Sequence, residues 1–312
     1  MKNLPQEFLE RLKKIYSEED YQEILKWFEA ERITSFRINT LMSDKKEVED
    51  YLNANDMSFT IADFSEIAYI IDKKHEFTLK WSKLFYSGKI YVQWIASQIP
   101  AIVLSPVKWD IILDVTAAPW SKTTQMAAMT NNSCRIVAAE KNQIRFDKLN
   151  YNLKLQWVTC TQTVKIDALD LSKNFEPETF DKILLDAPCS AEWRININNE
   201  KTFWFWTIEN IRKKHELQMD LIEHVIPLLK KWGTLVYSTC TLAPEENEEV
   251  IDAVLKRNFN ISLAEIDFTL PNSLPWIIEF WSKKYSRDLS KALRISPSEL
   301  SEWFFIAKLI KD

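Results

Sequence analysis

Five short apolar runs in the second part of the chain constrain its fold more than any other feature. "DIILDV", "RIVAAE", "QTVKID", "FDKILLDA" and "GTLVYSTC" alternate with stretches of helical spacing. Runs of this kind suit parallel strands buried between helices. The alternation predicts an α/β fold: a doubly wound, Rossmann-like sheet with helices on both faces and its ligand beyond the carboxyl ends of the strands. The polar strand ends Asp114, Glu140, Asp167 and Asp186 then fall along one rim. "FNISLAEI" and "EWFFIAKLI" read as late strands after a long loop.

Residues 1–76 follow a different pattern: helix, helix, strand, helix, strand, strand. "LPQEFLERLKKIY" and "SEEDYQEILKWFEA" have helical spacing, with Ser17 placed to cap the second. "TSFRINTL", "SFTIAD" and "IAYIID" read as strands around the helical "DKKEVEDYLNAND". The expected organisation is a small α+β domain over 1–76 that seats RNA or packs as a lid, then a Rossmann-like domain over 77–312.

The chain has 312 residues, 46% hydrophobic and 27% charged, the balance of a soluble globular protein. No apolar run approaches the roughly 20 residues that cross a bilayer, and the amino-terminal segment is charged and amphipathic, so a cytoplasmic protein without membrane association is expected. The net charge of −5, with lysine pairs scattered, gives no compositional case for nucleic-acid binding. Any basic groove must be assembled by folding. His75, His215 and His224 stand alone, and Cys134, Cys160, Cys189 and Cys240 lack metal-ligand spacing, so no metal site is expected.

"DVTAAPWSKTTQ" reads as a strand, a loop and a helix start, the place where such folds hold a nucleotide-like ligand. Glu140, about 20 residues further on, suits the ribose hydroxyls of a nucleoside, and Asp167 suits an adenine amino group. "LLDAPCSAEWRI" and "LVYSTCTLAPEENEEV" bring Cys189 and Cys240 to neighbouring strand ends beside Asp186. A lone cysteine is usually an inert small hydrophobe; two at adjacent strand ends favour catalysis. An adenosyl-type cofactor, a carboxylate and a thiol together suit methylation at carbon 5 of a pyrimidine. That carbon becomes nucleophilic once a thiolate adds at carbon 6, while the carboxylate stabilises charge on the ring. A thiol of ordinary pKa near 8.5 is little ionised at neutral pH, so a cation such as Lys122 would help.

The segments "FYSGKIYVQWIASQIPAIVL", "DVTAAPWSKTTQMAA", "EKNQIRFDKLNYNLK", "LLDAPCSAEWRI", "YSTCTLAPEENEEVI" and "RISPSELSEWFFIAKL" together resemble the Nop/Sun family of S-adenosylmethionine-dependent RNA cytosine-5 methyltransferases. "SFRINTL" resembles that family's amino-terminal segment. The resemblance implies Cys240 as nucleophile, Cys189 as the thiol assisting product release, Asp186 as the base-contacting carboxylate and Lys122 as the loop lysine. It implies cofactor contacts at Ala117, Ala118, Pro119, Trp120, Ser121, Lys122, Glu140, Arg145, Asp167 and Asp186. It also implies S-adenosyl-L-methionine as cofactor and a ribosomal or transfer RNA as partner, the target base leaving its stack to reach the thiols. A monomer is expected. Amine methylation is the second enzyme reading, disfavoured by the two thiols; an RNA-binding or assembly protein that has lost catalysis is the third.

One departure from the family is systematic. The chain has 13 tryptophans and 2 glycines, Gly88 and Gly233, where an average chain of this length carries roughly 22 glycines. Trp120, Trp193, Trp232 and Trp303 stand where the family has glycine, and Trp94, Trp157, Trp276 and Trp281 occupy glycine-like contexts. UGA is read as glycine in some genetic codes and as tryptophan in others. The expectation is that many written tryptophans are glycines in the natural protein; the rival is a diverged protein with an impaired cofactor site.

Overall fold

A computed structural model describes residues 4–118, 121–257, 259–267, 270, 272–298 and 301–312. The expected cofactor contacts Pro119 and Trp120 lie outside the described residues.

The chain opens with α1 (Gln6–Ile15) and α2 (Glu18–Glu29). As expected, Ser17 caps α2, its hydroxyl accepting from the Asp20 N–H at 3.1 Å. Then come β1 (Thr34–Ile38), α3 (Lys45–Ala54), β2 (Phe59–Ile61), β3 (Ala68–Ile71), the short helices α4 (Glu76–Lys80) and α5 (Lys83–Tyr86), and β4 (Ile90–Val92). These strands form an antiparallel sheet of order β2-β3-β1-β4, so the small sheet takes a strand from beyond residue 76. Its apolar face, with Phe36, Ile38, Tyr69 and Ile71, packs on Val48 and Leu52 of α3. Helices α1 and α2 turn their apolar stripes elsewhere. Phe8, Leu12, Ile24 and Phe28 pack with Trp206, Ile211, Leu242 and Trp303 of the second part of the chain.

The second part runs α6 (Ile95–Leu104), β5 (Ile111–Asp114), α7 (Ser121–Met129), β6 (Arg135–Ala139), α8 (Gln143–Leu155), β7 (Thr161–Val164), β8 (Phe180–Asp186), α9 (Ile208–Val225), β9 (Leu229–Thr239) and α10 (Glu248–Lys256). The strands β10 (Ile261–Ala264), β11 (Ser273–Leu274), β12 (Glu279–Phe280), β13 (Lys283–Lys284), β14 (Leu293–Ile295) and β15 (Phe304–Lys311) complete it. Strands β7-β6-β5-β8-β9 are parallel neighbours, and β15 joins β9 antiparallel. All five sequence runs are therefore sheet strands.

Alternation along those strands serves two cores. Leu113, Val137, Ile183, Leu185 and Leu235 pack with Ile222 of α9 and Ile251 of α10. Ile112, Ile136, Leu184, Val236 and Ile306 pack with Ile99 of α6 and Met126 of α7. Chain order runs outward from β5 to β7 and then returns to β8 on the other side of β5. The crevice at such a reversal is where this class of fold binds its ligand.

The small sheet is tied to that crevice by Arg37. This buried guanidinium donates to Gln93 Oε1 at 2.8 Å, to Thr124 Oγ1 at 2.5 Å and to the Ser121 carbonyl at 3.2 Å. The "SFRINTL" strand thus braces the first turn of α7.

Candidate active site

Asp186 ends β8 at the reversal point, and Lys122 reaches it from the first turn of α7. Lys122 Nζ lies 2.6 Å from Asp186 Oδ2 and 2.9 Å from Ser97 Oγ. The other carboxylate oxygen, Oδ1, accepts from Ser238 Oγ at 2.8 Å. Ser238 was not foreseen. Its signal was the "STC" spacing, since residues i and i+2 of a strand share a face, which aligns Ser238 with Cys240.

Cys189 and Cys240 follow the ends of the neighbouring strands β8 and β9, and their sulfurs are 3.1 Å apart. The Cys240 N–H also points to Cys189 Sγ at 3.4 Å. The contact with Cys189 and burial, with the negative charge of Asp186 added, push the Cys240 thiol well above its ordinary pKa, and Lys122 opposes the shift. Lys122 thus acts in the expected direction, yet its closest partner is Asp186 and the resting thiol is held neutral.

A network unforeseen in the sequence fixes both cysteine loops. Glu246 accepts from the Ser190 N–H at 2.9 Å and from Gln218 Nε2 at 2.8 Å. Ser190 and Thr241 hydroxyls meet at 2.7 Å, and Glu192 accepts from Thr241 Oγ1 and the Leu242 N–H, each at 2.8 Å. Trp206 Nε1 donates to the second Glu192 oxygen at 2.7 Å. The acidic run in "PEENEEV" is thus partly turned inward, Glu246 joining chain segments that meet only on folding.

On the cofactor side, Ala117, Ala118, Glu140, Arg145 and Asp167 gather at the carboxyl ends of β5, β6 and β7. The Ala117 N–H donates to the Ala139 carbonyl at 3.0 Å, and Arg145 donates to the Ala118 carbonyl. Glu140 Oε1 accepts from the Asn142 N–H at 2.8 Å, with Arg145 Nε 3.5 Å from Oε2. Asp167 accepts from the Leu169 N–H at 3.2 Å and from Lys141 Nζ at 3.1 Å. Two carboxylates on adjacent strand ends, beside Ala117 and Ala118, form an acceptor set suited to a nucleoside's hydroxyls and amine. Among the described residues no group of three or more His, Cys, Asp or Glu could hold a metal ion, and no helix is long and apolar enough to cross a membrane.

Three of the buried carboxyls around the site hold their protons unusually tightly. Burial pushes Asp114, Glu246 and Glu302 each up to about 7. A carboxyl whose pKa rises on folding binds its proton more tightly in the folded chain. Its contribution is complete below the unfolded value, about 4, and is lost as pH rises through about 7. Glu302→Gln is expected to flatten the decline of unfolding free energy over this window; an unchanged slope in denaturant titrations at pH 5, 6, 7 and 8 would count against it.

Side chains gathered at the carboxyl rim of a largely parallel sheet, at the point where strand order reverses, define an α/β protein with its ligand site in that crevice. Residues 101–310 match the model of the 16S rRNA methyltransferase RsmB/F family, and residues 4–94 match the N-terminal domain of 16S rRNA methyltransferase RsmF. The chain belongs to this Nop/Sun family of RNA cytosine-C5 methyltransferases. It is 34% identical over 313 residues to the tRNA (cytosine(49)-C(5))-methyltransferase of Pyrococcus abyssi, covering 99% of this chain and 97% of that one. Ribosomal RNA small subunit methyltransferase F of Vibrio vulnificus is 32% identical across 99% of this chain, which spans 64% of its length. The match to the Aeromonas salmonicida counterpart, at 35% identity, covers 72% of this chain and 48% of that protein. A methyltransferase homolog protein from Pyrococcus horikoshii superposes with a TM-score of 0.87 at 29% identity, over 99% of this chain and 96% of that one. NSun6 from Pyrococcus horikoshii with SFG has the same fold, with a TM-score of 0.84 at 24% identity over 99% of this chain and 98% of that one.

Proposed function

We propose that this chain methylates carbon 5 of a cytosine in RNA by transient covalent attachment of the base to Cys240, with S-adenosyl-L-methionine as methyl donor. The observation that carries the reading is the pair of sulfurs 3.1 Å apart beside the Lys122–Asp186 ion pair. Glu140 would hold the ribose of the donor and Asp167 its adenine, with Ala117, Ala118, Ser121 and Arg145 shaping the adjoining loop. When bound, the donor supplies an electrophilic methyl group.

The remaining chemistry belongs to the protein and the base. Cys240 Sγ, once deprotonated, forms a bond to carbon 6, and the electron pair displaced from the ring double bond makes carbon 5 nucleophilic. Asp186, oriented by Lys122 and Ser238, would hydrogen-bond the ring as charge builds there. After methyl transfer, the proton on carbon 5 is removed and the carbon 6–sulfur bond breaks, restoring the double bond. Cys189, beside Cys240, would assist this release.

The match along nearly the whole of a transfer RNA enzyme supports transfer RNA as substrate, and the ribosomal relatives support ribosomal RNA. The target must be single-stranded, looped or flipped, because a stacked base cannot bring carbon 6 to a recessed thiol. Incubation of the chain with radiolabelled donor and each RNA class, followed by nucleoside digestion, tests the reading. Label in 5-methylcytidine is expected; label confined to an exocyclic amine would overturn it.

The second reading, an RNA-binding protein without catalysis, is favoured by one observation. Trp193 and Trp303 line the same cavity as Asp186, Lys122 and Cys240. Retained RNA binding with no methyl transfer would select it. A cytoplasmic monomer remains part of the proposal.

A further inference from the structure

Among the described residues four helices end in the same hydrogen-bonded turn, and one of them carries a residue that the turn does not suit. In this turn the first residue past the cap is left-handed and donates to the third carbonyl back, while its successor donates to the fifth carbonyl before it. At the end of α3 the left-handed residue is Asp56, with bonds Asp56 N to Asn53 O at 3.2 Å and Met57 N to Leu52 O at 2.9 Å. At the end of α5 it is Gly88, with bonds to Phe85 O at 3.0 Å and from Lys89 N to Leu84 O at 2.9 Å. At the end of α7 it is Asn131, with bonds to Ala128 O at 3.0 Å and from Asn132 N to Ala127 O at 2.8 Å. Glycine, asparagine and aspartate are the residues that tolerate this conformation. At the end of α8 the position belongs to Trp157, at φ 57°, with bonds to Lys154 O at 3.2 Å and from Val158 N to Leu153 O at 2.9 Å.

The hairpin β12–β13 repeats the mismatch. Its register pairs Phe280 with Lys283, leaving the two-residue loop Trp281–Ser282 with Trp281 at φ 55°. A two-residue loop whose first residue alone has positive φ is the one that takes glycine there. Trp109 and Trp232 are also left-handed, at φ 76° and 64°. All four indoles are mostly exposed, from 60% at Trp281 to 84% at Trp109, so burial does not offset the backbone cost. Trp206 is the internal contrast: its buried indole is bonded to Glu192. Trp303 is buried too, but among the described residues its Nε1 has no hydrogen-bond partner.

We propose that positions 109, 157, 232 and 281 are glycine in the protein as its own organism makes it, tryptophan having been written for a codon that the organism reads as glycine. Two further tryptophans, at ordinary backbone conformations, narrow the catalytic pocket. Trp94 and Trp193 meet edge to face there, with ring centroids 5.4 Å apart, and line the cavity that holds Cys240. With glycine at both positions the cavity opens toward the thiols, which makes 94 and 193 the positions that set access of the base. The backbone argument is independent of the proposed reaction, since positions 157 and 281 lie at a helix end and a hairpin tip outside that cavity.

Peptide sequencing by mass spectrometry of the protein isolated from its natural host reads the residues directly. Glycine at 157 and 281 is expected; tryptophan at both would overturn the inference. On the chain expressed as written, Trp157→Gly and Trp281→Gly should each raise the melting temperature by about 2–4 °C, whereas Trp206→Gly should lower it. A fall with both of the first two would show that the indoles belong where they are written. For the pocket, Trp94→Gly/Trp193→Gly should raise methyl transfer to RNA at least tenfold; a glycine reading at 157 and 281 with no gain would remove the access role of 94 and 193 alone.

Discussion

A Cys240→Ala protein is expected to transfer no methyl group to RNA, and a Cys189→Ala protein to accumulate a covalent RNA adduct that survives denaturing electrophoresis. Loss of the attacking sulfur leaves carbon 5 without its activating bond, so the rate should fall by a factor on the order of 10⁴ or more. Loss of Cys189 keeps attack and methylation possible but removes the sulfur beside the departing one, so the attached base leaves slowly. These opposite outcomes come from side chains 3.1 Å apart, which a general disturbance of the site would not separate. Adduct formation by Cys240→Ala but not by Cys189→Ala would exchange the two roles. Pockets containing tryptophan and glycine at 94 and 193 should both be assayed, because an occluded base site lowers both signals together.

Arg294→Met is expected to destabilise the fold by about 3–5 kcal/mol, the range for removing one partner of a buried ion pair. Arg294 Nε and Nη2 bind the two Glu248 oxygens at 3.0 and 2.6 Å, and both side chains are almost wholly buried. Nη1 donates to Tyr16 Oη at 2.8 Å and to the Leu242 carbonyl at 3.1 Å. One guanidinium thus joins the end of α1, the loop after Cys240, the start of α10 and β14. Urea denaturation measures the loss, and a change under 1 kcal/mol would refute this assignment. Glu248→Gln alone should also destabilise the fold, because Arg294 would stay buried as a cation without its counter-charge.

The sequence determined the parallel sheet, the rim of acidic strand ends and the approach of two cysteines, because these follow from periodicity and from strand adjacency. "STC" and "DAPC" needed only neighbouring strands to bring their sulfurs together. It also marked the surplus of tryptophan, though composition carried no information on which indoles fit. Backbone conformation separated Trp157 and Trp281, at left-handed turns, from the bonded Trp206. Tertiary structure alone decided that α1 and α2 pack on the second part of the chain rather than on the small sheet. It also decided that Lys122 pairs with Asp186, and that Glu192, Glu246 and Glu248 turn inward to pin the segments that follow the two cysteines. A carboxylate in an exposed-looking acidic run finds its burial only when distant segments supply donors, and the spacing of one segment holds no record of those partners.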